Sequence, residues 1–166
     1  FNSIQELVAQ KKVLALHDIS DGGLITTLLE MAFTKKVGLN LSFDQVSQND
    51  LNSFLFSEEA GLVIQVADED CESIIHELSS KGLIANLIGQ VSSTKDLIIS
   101  SVNKEIYRGS VVNLEKYWRE VSHAIQSIRD NESVANSELK LLDDTNHKGL
   151  FSEDSFDENA LQSFTI

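Results

Sequence analysis

The chain has 166 residues, is 42% hydrophobic and carries a formal net charge of −13. That length supports a compact domain with a real core, while the acidic balance argues against a nucleic-acid partner, since phosphate contacts need basic patches. A single cysteine, Cys71, excludes a disulfide framework and a cysteine-built zinc site.

In chain order, Ser3-Ile4-Gln5-Glu6 has the form of a capping box, and Ile4, Leu7 and Val8 share one face of a short helix. Residues 13–16 read as an apolar strand that stops at His17-Asp18-Ile19-Ser20-Asp21-Gly22-Gly23. Leu24, Ile25, Leu28, Leu29, Ala32 and Phe33 then recur at helical spacing, with Lys35 and Lys36 placed for the helix C-terminus. Gly38 opens a strand over 39–43, a short helix is expected over 49–55, and residues 62–66 read as a β-branched strand. The spacing of Cys71, Ile74, Ile75 and Leu78 predicts a helix over Asp68–Ser80, with Gly82 just past its end. Cys71 reads as a small buried or half-buried residue, and His76 as a core or surface histidine. Further strands are expected over 83–91, 97–102 and 105–108. From Asn113, Leu114, Tyr117, Trp118, Val121, Ile125 and Ile128 form an apolar stripe, in which Trp118 is most simply a core anchor.

Residues 1–129 therefore predict an α+β fold, a mixed β-sheet flanked by helices. Residues 130–166 hold nine acids against two lysines and carry −7 of the net charge, so they read as an acidic linker or extension. Its scattered Leu141, Leu142, Leu150, Phe151, Phe156, Leu161 and Phe164 suggest a segment that clips onto a neighbouring surface. The chain opens on Phe1, which leads us to expect a longer parent. No signal-peptide or membrane-spanning pattern is seen, and a cytoplasmic setting is expected.

The junction after the first strand carries the chemistry. A helix start offers free N–H groups and a positive dipole end to an anion, and glycines permit close approach. Asp18 and Ser20 point the same way on an extended backbone, while Asp21 is placed to cap the helix. An anion site beside carboxylates makes sense with a divalent cation between them, as when Mg²⁺ binds one or two carboxylates plus phosphate oxygens. A plain capped turn fits the same spacing equally well. A calcium loop does not, because Leu29 stands where the bidentate Glu belongs, and no P-loop lysine follows the glycines. Glu58 and Glu59 could do acid/base or metal work, but adjacent loop carboxylates more often face water.

HDISDGGLITTLLEMAF, FSEEAGLVIQV, Gly89-Gln90-Val91 and Trp118…Gln126…Arg129-Asp130-Asn131 together resemble phosphoribosylformylglycinamidine synthase of the large, single-chain type. The likeness covers about residues 4–131 and is to one segment, the carboxy-terminal half of the second aminoimidazole ribonucleotide (AIR) synthetase-like repeat. It implies a fold like the AIR synthetase C-terminal domain. It also implies an ATP- and glutamine-dependent ligase of purine biosynthesis, with ammonia from glutamine replacing the formyl oxygen of formylglycinamide ribonucleotide. Carried over, Asp18 is a Mg²⁺ ligand and Ser20 contacts the nucleotide, an auxiliary ADP rather than the ATP that turns over. His17, Asp21, Gly22 and Gly23 shape the turn, and His17 either holds it by hydrogen bonding or touches phosphate. Arg129 could anchor the tail by a charge-assisted pair. Implied partners are the companion synthetase half and a glutaminase domain, toward which residues 130–166 would lead. A fragment homodimer through the face left uncovered is also expected. The alternatives are a non-catalytic half-domain that buttresses the core and docks the glutaminase, and a relative of thiamine-monophosphate kinase, which shares the D-I-S-D-G turn but not the other motifs.

Overall fold

The computed structural model describes residues 1–144. Helix α1 (Asn2–Ala9) precedes β1 (Ala15–Asp18), α2 (Gly23–Phe33), β2 (Gly38–Ser42), α3 (Leu51–Phe56), β3 (Leu62–Gln65) and α4 (Asp68–Ser80). Strands β4 (Gly89–Ser92), β5 (Asp96–Ser101) and β6 (Lys104–Ser110) follow, then α5 (Val111–Arg129), α6 (Glu132–Lys140) and a 3₁₀ turn (Leu141–Asp143). The α+β expectation holds. Strands β4-β2-β5-β6 form one mixed sheet, with β2 and β5 parallel and the outer pairs antiparallel. Strands β1 and β3 form a separate antiparallel pair.

Each sheet has its own core. Leu24, Ile25, Leu28, Ala32 and Phe33 of α2 pack with Leu39 and Leu41 of β2, Leu97 and Ile99 of β5, and Val111 of α5. Leu7 of α1 with Ile74 and Leu78 of α4 forms the smaller core, against Val13, Ile64 and Val66. Lys81 fastens α4 to α1 through Glu6 at 2.6 Å and Glu77 at 3.0 Å, and these hydrogen-bonded carboxylates hold its ammonium above the usual lysine range. The end of α4 follows the expected pattern. Gly82, at φ +77°, directs its N–H to the Ser79 carbonyl, and Leu83 N–H reaches Leu78.

Several elements differ from the sequence reading. The capping box at Ser3 does not form, because the cap falls two residues earlier, on Phe1, and α1 starts at Asn2. Strand β1 runs two residues later than expected, since pairing with β3 from Ala15↔Gln65 to Asp18↔Leu62 sets its ends. His17 and Asp18 thus lie in the strand. Of residues 83–91, only those from Gly89 pair with β2, and Ile84 and Leu87 are exposed.

Helix α5 departs furthest. Tyr117, Val121, Ile125 and Ile128 are exposed, with Ile128 88% accessible, and Trp118 is half-exposed rather than a core anchor. The buried residues of this helix are Val111 and the charged Glu115, which takes hydrogen bonds from Arg119 at 2.8 Å. Helix α6 packs along α5 through His123–Asn136 and Gln126–Glu138 and buries Ala135. Lys36 does not cap α2; its Nζ donates to the carbonyls of Leu141, Leu142 and Asp144 and holds the 3₁₀ turn. Leu142 is buried there and Leu141 exposed; Leu150, Phe151, Phe156, Leu161 and Phe164 lie outside the described residues.

Candidate functional site

Strand β1 delivers Asp18 to the sheet edge, its side chain 74% exposed, and the chain reverses into α2 within four residues. Gly22 and Gly23 sit at φ +85° and +74°, left-handed conformations that cost residues with a Cβ. Gly23 is also required by packing. A Cβ there would stand 2.7 Å from the Phe56 carbonyl carbon and 2.8 Å from the Ser57 oxygen, where α2 crosses the end of α3. Gly23 N–H donates to the Ser20 carbonyl, and Ile19 N–H donates to Gly61. These bonds tie the turn to the loop before β3.

Asp21 does not cap α2. The cap position falls one residue later, on Gly22, and no side chain of the cap residue bonds the helix. An anion does reach the turn from elsewhere: Glu58 Oε1 accepts the Gly22 N–H at 2.9 Å. Glu58 is exposed, as the sequence reading expects, and also answers the positive end of α2. Glu59 is exposed. The signal for Glu58 was its place in FSEEAG, but only the fold could bring it across 36 residues to Gly22.

His17 holds the turn from behind. Its Nδ1 lies 2.7 Å from the Asp18 main-chain oxygen and 3.4 Å from Asp18 Oδ1, and its Nε2 lies 3.1 Å from Glu30 Oε2. Thr27, fully buried, donates to the same Asp18 oxygen. The second Glu30 oxygen accepts the Trp118 indole N–H at 3.0 Å. His17, Glu30 and Trp118 line an open groove of about 690 Å³ with Leu14, Leu16 and Arg119; Asp18 and Ser20 face outside it. Glu30 and Trp118 were not singled out for this site, because one sits mid-helix and the other reads as apolar.

The closing motif stitches helices together. Gln126 bonds Glu138, Arg129 forks onto Asp130 at 2.8 and 2.7 Å, and Asn131 Oδ1 caps α6 by accepting from Ser133 and Val134 N–H. Arg129 is thus paired with its neighbour, which keeps the Asp130 carboxyl below its ordinary range through that hydrogen bond. Cys71 is half-buried and His76 is exposed.

Among the described residues no group of three His, Cys, Asp or Glu side chains could hold a metal. The donor set at the turn is the exposed carboxylates of Asp18 and Asp21 beside the hydroxyl of Ser20, also exposed. That is enough for Mg²⁺, which keeps waters and takes its remaining ligands from phosphates, and too little for a closed protein cage. No helix among the described residues is long and apolar enough to cross a membrane.

Residues 1–101 match the model of the family described as AIR synthase related protein, C-terminal domain. Among solved structures, PurL of T. maritima complexed with FGAR is similar at a TM-score of 0.60 and 17% identity, over 68% of this chain and 20% of that one. The ATP complex of the same protein gives 0.61 and 15%, over 66% and 20%. A HypE-HypF complex gives 0.51 and 21%, over 65% and 41%. At these identities the likeness is one of fold, and the chain spans about a fifth of the PurL chains it resembles.

Proposed function

We propose, for a chain that belongs to the AIR synthase related proteins through their C-terminal domain, that the turn between β1 and α2 is one half of a Mg²⁺-nucleotide site. Asp18 is its metal ligand and Ser20 its nucleotide contact. The observation that carries this reading is the exposed Asp18 carboxylate at a strand end, directly before a left-handed glycine pair and a helix start. A metal held by Asp18 would neutralise phosphate charge beside Glu58, and the Gly22-Gly23 backbone lets a ligand approach without a Cβ in the way, although Gly23 N–H is already engaged by the Ser20 carbonyl. Solved PurL structures carry ATP and ADP, which supports nucleotide as the ligand class.

In this reading the parent is a glutamine-dependent ligase that converts formylglycinamide ribonucleotide to its amidine in cytoplasmic purine biosynthesis, and the nucleotide is an auxiliary ADP. Residues 1–129 are the AIR-synthetase-like domain, and residues 130–166 lead toward a glutaminase domain. The companion half supplies the missing metal ligands, so the isolated chain turns over nothing and pairs through its exposed apolar face. One observation favours the second reading, a purely structural half-domain. Glu58 already occupies Gly22 N–H, so an incoming phosphate must displace it. Calorimetric titration of ADP with Mg²⁺ into the chain and into Asp18→Asn separates the two. Magnesium-dependent binding lost in the variant supports the proposal. Binding unchanged in Asp18→Asn removes the ligand assignment, and no binding by either leaves the structural reading.

A further inference from the structure

Glu30 is the only described residue that touches the turn network on one oxygen and helix α5 on the other. Its Oε2 meets His17 Nε2 at 3.1 Å, and its Oε1 accepts the Trp118 indole N–H at 3.0 Å. The carboxylate is three-quarters shielded, while the Trp118 ring that meets it is half-exposed. Trp118 is itself held: its ring packs 5.7 Å from that of Phe33 at 53°, and the Arg119 guanidinium sits 5.7 Å from its centroid. A ring fixed on two sides aims its N–H, and the N–H in turn fixes the rotamer of Glu30.

The same line continues toward the turn. With Nε2 engaged by Glu30, the imidazole plane is set, and its Nδ1 falls 2.7 Å from the Asp18 main-chain oxygen and 3.4 Å from Oδ1. The Asp18 main-chain oxygen can only accept, so Nδ1 donates to it, while Nε2 faces the Glu30 carboxylate. Asp18 thus has its backbone oxygen held by His17 and Thr27 and its carboxylate flanked by the ring. An outer partner that orients an intermediate side chain, which orients a ligand, is how metal and phosphate sites keep their inner groups in place.

We infer that Glu30 is a positioning residue: by bridging Trp118 and His17 it holds the imidazole that orients Asp18, and so makes helix α5 part of the support of the turn. Its consequence for nucleotide rests on the Mg²⁺-nucleotide reading above; its consequence for the turn does not. Trp118, the only tryptophan in the sequence, lies beyond the residues 1–101 that match the family model. A bare docking role for α5 would need Phe33 and Trp118 packing and nothing from His17.

The test uses the full chain, with Glu30→Ala, Glu30→Gln and Trp118→Phe. The glutamine amide can accept the indole N–H through Oε1 and, with the imidazole proton on Nδ1 for the Asp18 oxygen, donate to the bare Nε2, so it keeps the bridge. In ¹⁵N spectra, Glu30→Ala is expected to expose the single indole N–H to solvent exchange and to shift the His17 ring and the Ser20–Gly23 amides. Glu30→Gln should return the turn amides close to wild type. Mg²⁺-dependent ADP affinity should fall about tenfold in Glu30→Ala and recover in Glu30→Gln. Should Glu30→Ala move only Trp118 and leave His17 and the turn amides in place, the positioning role is overturned and Glu30 merely docks α5. A wild type that binds no ADP ends the nucleotide reading, while the His17 and turn resonances still decide the role of Glu30. If Glu30→Ala does not fold, Trp118→Phe decides: it keeps a ring against Phe33 and removes only the N–H. A shift of the His17 ring resonances away from wild type supports the bridge, and no shift overturns it.

Discussion

The turn after β1 and helix α5 present opposite cases of how a local pattern meets its surroundings. In the turn, the glycines sit where their chemistry suggests: Gly22 and Gly23 take left-handed conformations, and Asp18 is exposed at the strand end before them. In α5, the stripe Tyr117, Val121, Ile125 and Ile128 has the periodicity of a core face yet points to solvent, while Glu115 and the Trp118 N–H face protein. Periodicity establishes that a helix is amphipathic. It does not establish which neighbour covers the apolar side, and among the described residues nothing covers this one. A contiguous exposed patch of this kind marks an interaction surface.

The sharpest way to break that contrast is to cut into each side of it. Leu97→Ala, in the central strand β5 and 2% exposed, should cost about 3 kcal/mol in urea unfolding. Ile128→Ala should stay within about 0.5 kcal/mol. An equal loss at Ile128 would mean that the stripe is covered after all. Gly23→Ala should cost about 2 kcal/mol, from the left-handed strain and the Phe56 and Ser57 backbone atoms that a methyl would meet. Unchanged stability there would mean that α2 can slide off the end of α3.

Arg119→Ala probes the inverted side of α5. It leaves the Glu115 carboxylate buried without its partner, and about 1–2 kcal/mol of destabilisation is expected, less than for a fully buried pair because Arg119 is half-exposed. Glu115→Gln alongside it should recover most of that loss. Glu58→Gln tests the turn more gently: losing a charged acceptor for Gly22 N–H should cost about 0.5 kcal/mol, read from the same unfolding curves.

The smallest effect is in pH. Glu105 and Asp130 are held below the ordinary carboxylate range, chiefly by hydrogen bonds from Arg108 and Arg129. A lowered folded-state pKa gives stability that is present above the unfolded value and is lost as pH falls through the folded one. Glu105→Gln with Asp130→Asn should therefore lower stability slightly at neutral pH, by a difference from wild type that disappears as pH falls through the folded-state values, which flattens the acid limb. Lys81, raised by Glu6 and Glu77, acts in the opposite sense. Its contribution is present below the unfolded lysine pKa and fades as pH rises through the higher folded value.

Much of the fold was legible in local pattern. The helices over α2 and α4, the left-handed Gly82 and the alternation in β2 are each short-range arrangements whose residues lie within a few positions of one another. What misled was local evidence for non-local events. Ser3 fits a cap, but the helix starts a residue before it; residues 83–87 are apolar enough for a strand but do not join the sheet, which β2 meets only from the Ile88 carbonyl onward. Asp21 fits a cap, and the cap fell on Gly22.

The sequence by itself determined the fold class and the polar, glycine-marked turn with Asp18 and Ser20 in it, because helical and strand periodicity and glycine conformation are properties of adjacent residues. The tertiary structure alone decided that Glu58 answers Gly22 from 36 residues away, that Glu30, already against His17, meets Trp118 from 88 residues away, and that α5 turns its apolar stripe outward. Those depend on which surfaces meet, and spacing along a chain carries no record of distances between elements that only packing brings together.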